Sequence, residues 1–81
     1  MVVTSRGSEP GLLAAKVVKD ARRRLLKCSH KPVQLVACEY HEGILVLRGH
    51  VSSFFHKQLA QEAVRDVVGV DKVVNVIEVR E

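Results

Sequence analysis

The sequence predicts an α+β fold, an αββαβ two-layer domain in which a three-stranded mixed sheet carries both helices on one face. Three observations lead there. Two segments, about Gly11–Cys28 and Ser53–Val68, repeat apolar residues at three- and four-residue steps, the period of a helix with one buried stripe. Between them, Val33–Tyr40 and Ile44–Leu47 read as strands joined at Glu42-Gly43, and Val70–Arg80 gives a third strand after the second helix. Ile44-Leu45-Val46-Leu47 is apolar on both sides of the pleat, which makes that strand central. A strand–helix–strand crossover makes its two strands parallel, so the expected order is first, second, third.

Eighty-one residues suffice for one domain, and the apolar share of 47% is too high for a disordered chain. With no Trp and few aromatics, the core has to be aliphatic. Residues 1–8 read as a flexible tail and residues 9–81 as the domain. Ser8-Glu9-Pro10 is a helix start, combining a hydroxyl cap, an acid at the positive dipole end and a proline in the first turn. Ala14, Val17, Val18, Ala21, Leu25 and Cys28 form the buried stripe. Lys16, Lys19, Arg23 and Lys27 lie opposite, with Arg22 and Arg24 at the margins, and Leu12 and Leu26 also point away.

Lys31-Pro32 ends the first helix, because the residue before a proline avoids the α region. In the strand that follows, Val36, Cys38 and Tyr40 share one face and Leu35, Ala37 and Glu39 the other. Gly43 supplies the positive φ of the hairpin turn, Gly49 marks where the central strand leaves, and Gly69 is the expected cap of the second helix. That helix starts at Ser52-Ser53 and buries Leu59, Ala60, Ala63, Val64 and Val67, with Phe55 at the edge of the stripe and His56 on it. Phe54 points the other way. In the third strand, Val73, Ile77 and Val79 oppose Val74 and Val76.

These residues resemble the BON domain family (bacterial OsmY and nodulation). Glu42 to Val51 matches its acidic-Gly turn and its apolar strand ending Leu-x-Gly-x-Val. Gly69-Val70, Val73 and Asn75 match the Gly-Val-x-x-Val-x-Asn segment after a helix carrying Ala60 and Ala63. The resemblance spans roughly residues 12–80 without a gap. It implies an αββαβ domain without a catalytic site, associated with phospholipid membranes. Many members are exported and carry two copies of the domain, whereas this sequence holds one copy and its first residues are not expected to act as a signal sequence. The basic first helix is not part of the family pattern.

The charge distribution bears on the partner. Seven basic residues between Lys16 and Lys31 stand against Asp20 alone, while from Pro32 onward five basic residues face seven acidic ones. Such asymmetry suggests an anionic partner, although a solvated helix face has the same sequence. The candidates for lipid or anion binding are Lys16, Lys19, Arg22, Arg23, Lys27, Phe54 and Lys57. Phe54 beside a cation suits a membrane interface, and it also suits a side chain folded back on the sheet edge. Nucleic acid fits less well, because no aromatic is interleaved with the cations and the GxxG loop and aromatic strand pattern of RNA modules are missing.

The expected role is therefore non-catalytic binding to an anionic phospholipid surface or a membrane-linked protein partner, with no enzyme activity, no cofactor and no small-molecule substrate. The alternative is a protein–protein or self-association module, including a homodimer. It would use the sheet face away from the helices, where Leu35, Ala37, Ile44, Val46, Val74 and Val76 gather. No Gly-rich phosphate loop or paired carboxylates appear, and no third group completes a nucleophile with Ser52 or Ser53 and His56. Cys28-x-His30 and Cys38-x-x-His41 scan as zinc ligands. However, residues three apart on a strand face opposite sides, about 10 Å apart, so no metal site is expected. Two cysteines suit a reducing compartment. With Met1 as the native start the location is cytoplasmic; a trimmed chain would leave a periplasmic one open.

Overall fold

The computed structural model describes the backbone of residues 2–80 and the side chains of residues 12–80. The elements are α1 (Val2–Leu26), α2 (Lys31–Gln34), β1 (Ala37–His41), β2 (Ile44–Arg48), β3 (His50–Val51), α3 (Phe54–Ala63), β4 (Lys72–Asn75) and β5 (Glu78–Val79). The expected α+β architecture is present, with a three-stranded mixed sheet ordered β1-β2-β4. β1 runs antiparallel to β2, pairing Glu39 with Val46. β4 runs parallel to β2, pairing Val46 with Val74.

The β3–β5 pair continues the same parallel ladder. Its register, His50 with Glu78, keeps the offset of Ile44 with Lys72. Across the gap, the Val76 N–H donates to the Leu47 carbonyl at 3.0 Å and the Glu78 N–H to the Gly49 carbonyl at 2.9 Å. The strand pairing is therefore interrupted at Gly49 without a change of register, and facing parity is kept across the break. Leu45, Leu47, Val51 and Ile77 all turn to the covered side and are buried. They meet Val17, Ala21 and Leu25 of α1 and Ala60 of α3, with Val64 and Val67 from the loop beyond it, in one aliphatic core.

Several boundaries differ from the sequence reading. α1 begins at Val2 rather than near Gly11, so the expected division at residue 8 falls inside this helix. The side chains of Ser8, Glu9 and Pro10 lie outside the described residues. Val33 and Val36 do not belong to a strand. Pro32 sits in the first turn of α2, and the short helix buries Val33 inward while Val36 fills the core just beyond it. Leu35, read as a sheet-face residue, caps the C-terminus of α2 and stands 71% exposed.

The α3 helix ends at Ala63, five residues early. Beyond it Val64 and Arg65 bond the carbonyls three residues back (Gln61, Glu62), and Val67 bonds Val64 in the same way, a tightening into 3₁₀-type turns. Gly69 is therefore not a helix cap. At the helix start, Ser53 acts as expected: its Oγ accepts from the His56 N–H at 3.2 Å. At the hairpin, Glu42 (φ 47°) joins Gly43 (φ 89°) in the left-handed region, the type I′ arrangement that matches strand twist. The Gly43 carbonyl accepts from the Asp71 and Lys72 N–H groups at 2.7 and 3.1 Å, tying the turn to the start of β4.

The third strand is interrupted at Val76-Ile77. Asn75 Oδ1 accepts from the Ile77 N–H at 3.1 Å, a donor that points away from the ladder bonds made by the Val76 and Glu78 N–H groups. Its Nδ2 donates to the Lys57 carbonyl at 3.0 Å and to Gln61 Oε1 at 3.2 Å. One amide thus fastens α3 to the covered face of the sheet.

Candidate functional site

The α1 periodicity that buries Val17, Ala21 and Leu25 necessarily turns Lys16, Lys19, Arg23 and Lys27 outward, and all four are exposed. Asp20 lies among them and is engaged by Arg24 at 3.4 Å and Arg23 at 3.8 Å. Exposed pairs of this kind contribute little to stability. Among the described residues, Lys16, Lys19 and Lys27 make no ion pair. Arg22 leaves the row: its Nη1 reaches the Val36 carbonyl at 3.4 Å, on the side where α1 meets β1.

A groove of about 510 Å³ opens between this helix face and the loop that leads from α3 to β4. Leu13, Val17 and Val68 form its apolar surfaces, and Lys16, Lys19, Asp20 and Arg23 its charged margin. The loop is held close to the helix at Gly69, whose φ is 97°; a Cβ built there would lie 3.2 Å from Val17 Cγ2. Only a glycine meets both conditions without strain. Tyr40, on the covered face of β1, donates its hydroxyl to the Gly69 carbonyl at 2.6 Å. So pinned, the loop turns Val68 to solvent, 86% exposed, opposite Leu13 at 49%.

Of the seven sequence-derived candidates, the groove brings together Lys16, Lys19 and Arg23. Lys27, beyond the end of α1, does not line it. Phe54 and Lys57 are elsewhere, in the first turns of α3, where Phe54 is exposed and Lys57 half-buried. Phe54 does not fold back on the sheet. Its neighbour Phe55, read as the margin of the buried stripe, is also exposed and meets the His30 ring edge-on at 5.6 Å. The His56 ring lies 5.0 Å from that of His30, and its Nδ1 is buried without a protein partner. Leu13 and Val68 were not legible as site residues. Their meeting depends on the conformation of Gly69, and the sequence places Val68 in a helix.

On the open side of the sheet, Val46 pairs with Val74, flanked by Ile44 and Val76, both partly exposed. Ala37 pairs with Arg48, whose ion pair with Glu39 at 3.3 Å spans the same face and separates Ala37 from the valines. Leu35 is absent from this face. It borders a smaller groove of about 300 Å³ with Lys31, His50 and Arg80.

The cysteines are both half-buried and free. Cys38 Sγ lies 3.9 Å from the Val18 carbonyl on the covered side, and His41 is exposed on the other. Burial pushes the Cys38 thiol above its usual pKa, with the Arg22 guanidinium pulling weakly the other way. Among the described residues no group of three His, Cys, Asp or Glu side chains is placed to hold a metal ion, and no helix is long and apolar enough to cross a membrane.

The arrangement is a mixed ladder backed by α1 and α3, with Asn75 anchoring α3 and a glycine-pinned loop against α1. No curated protein matches the chain. The BON domain family model does, across residues 14–81, from the first apolar residue of the α1 stripe through the last strand. The glycine turn, the apolar central strand and the Gly-Val-x-x-Val-x-Asn segment all lie within the matched residues, and the chain belongs to the BON domain family.

Proposed function

We propose that this BON domain is a non-catalytic binding module that associates with anionic phospholipid surfaces through the outward face of α1. The observation that carries this reading is the row Lys16, Lys19, Arg23 and Lys27, exposed along one helix face with the single nearby acid engaged by arginines. Exposed Leu12 and Leu26 flank the row, which gives the helix the mixed character of an interfacial element. The BON family is one of binding modules, associated with phospholipid, which favours a lipid surface over other polyanions. Phe54 is a second contact, an exposed aromatic of the kind that settles at the headgroup level.

Co-sedimentation with phosphatidylglycerol and phosphatidylcholine vesicles tests the reading at matched salt. Each basic side chain at an anionic surface contributes about 1 kcal/mol, so Lys19→Glu with Lys27→Glu should lower affinity for the anionic vesicles at least tenfold with the fold intact. Unchanged affinity in the double variant removes α1 from the mechanism. Equal binding to duplex DNA replaces the lipid with an unselective polyanion site.

A second reading rests on the open sheet face. The apolar group Ile44, Val46, Val74 and Val76 sits where a solvated sheet ordinarily carries polar side chains, and a second copy or a partner protein would cover it.

A further inference from the structure

We infer that the groove between α1 and the Val68–Gly69 loop binds a single anionic phospholipid molecule, taking one acyl chain along Leu13, Val17 and Val68 and its phosphate at Lys16 and Lys19. The inference rests on the phospholipid reading above and deepens it from adsorption on a charged surface to capture of an individual lipid.

Volume, polarity and charge lead to this occupant together. At about 510 Å³ the groove falls within the range of small-molecule sites, which begins at about 300 Å³, and it is too small for a folded partner. Its inner surfaces are aliphatic, with no aromatic shelf or amide among the described lining residues to orient a polar ligand, so an apolar chain is the complementary guest. Val68, at 86% exposure, is left uncovered by the described residues. The charge at the margin is cationic in effect. Arg23 and Arg24 already hold Asp20, whereas Lys16 and Lys19, one turn apart, have no acidic partner among the described residues. Two ammonium groups with no acidic partner among the described residues, set beside an aliphatic trough, match a ligand with one anionic end and one apolar tail.

The groove is also built rather than incidental. Gly69 holds the left-handed φ of 97° that glycine favours, close against Val17, and the Tyr40 hydroxyl fixes the loop there. The wall carrying Val68 is therefore set by the fold before any ligand arrives.

The test uses the whole chain and monomeric dodecyl phosphate below its micelle concentration, with dodecylphosphocholine and inorganic phosphate as comparisons. Calorimetry should give saturable one-to-one binding of dodecyl phosphate, with inorganic phosphate and the zwitterion at least tenfold weaker. Amide and methyl shifts should concentrate on Leu13, Val17, Val68 and Gly69. Val68→Asp, at a position too exposed to disturb the core, should weaken dodecyl phosphate at least tenfold, and Val68→Leu should retain it. Binding equal to that of inorganic phosphate, shifts centred on Phe54 or the open sheet face, or an unaffected Val68→Asp variant would each overturn the inference. Vesicle binding without monomer binding leaves the surface reading standing and refutes the groove. Monomer binding without vesicle binding does the reverse.

Discussion

Replacing Asn75 by Ala tests how α3 is held to the sheet, and the cost can be worked from three hydrogen bonds. The Ile77 N–H loses the acceptor Oδ1, and Ile77 is 1% exposed, so its donor is left dry. An unsatisfied buried N–H costs about 1–3 kcal/mol. The partly buried bond from Nδ2 to the Lys57 carbonyl contributes about 1 kcal/mol, and the exposed one to Gln61 close to nothing. The expected loss is therefore about 2–4 kcal/mol, against a total of roughly 4–12 kcal/mol for a domain of this size. At about 4–8 °C per kcal/mol, Tm should fall by about 8–32 °C. Urea unfolding gives the loss directly, with an unchanged m-value showing that the same surface is exposed. Asn75→Asp keeps the Ile77 acceptor but faces the Lys57 carbonyl with a carboxylate, so it should fall between wild type and Ala at neutral pH. Gln61→Ala should be nearly silent. An Asn75→Ala loss below about 0.5 kcal/mol would refute the idea that this amide fastens helix to sheet.

The remaining predictions concern the surfaces and one thiol. Phe54→Ala should leave stability within about 0.5 kcal/mol, since the ring is exposed, while weakening anionic vesicle binding; a loss of several kcal/mol would place the ring in the core. Val46→Lys should convert any self-associated form to monomer in sedimentation at micromolar concentration, and a wild type monomeric at every concentration would leave the sheet face only to another protein. The folded chain retains the Cys38 proton at pH values where the unfolded chain has released it. Stability should therefore decline as pH rises past the ordinary thiol value of 9.0, and Cys38→Ala should flatten that decline in urea midpoints; identical profiles would show that the thiol is not held protonated by the fold.

Most of the fold was legible because it rests on periods that one core dictates. The α1 stripe, the hairpin at Glu42-Gly43 and the doubly apolar Ile44–Leu47 strand each carry a pattern with one structural meaning. Val33 and Val36 were ambiguous: read from Val36 the segment alternates as a strand, but their spacing of three is helical, and Pro32 in a first turn decides for the helix. The end of α3 was hidden for the opposite reason. Ala60, Val64 and Val67 keep a helical stripe even though the chain has tightened into successive turns after Ala63. The outward cations were legible from α1 alone. The groove was not, since it joins Leu13 to Val68 across the length of the domain through one positive φ at Gly69.

The shared register of β2 with β4 and of β3 with β5 also governs how the chain reaches its fold. The β1–β2 hairpin is local and can close within microseconds, but the other side of β2 is completed only by residues 72–80, after α3 has crossed over. Until then the sheet has a bare edge along Ile44-Leu45-Val46-Leu47, a run with no charge before Arg48. Such an edge recruits strands from other molecules as readily as its own partner. The Gly43 carbonyl, by receiving the Asp71 and Lys72 N–H groups, sets the first rung of the late strand at the hairpin end. Docking of the late strand from that rung covers the edge that would otherwise stay open to strands of other molecules.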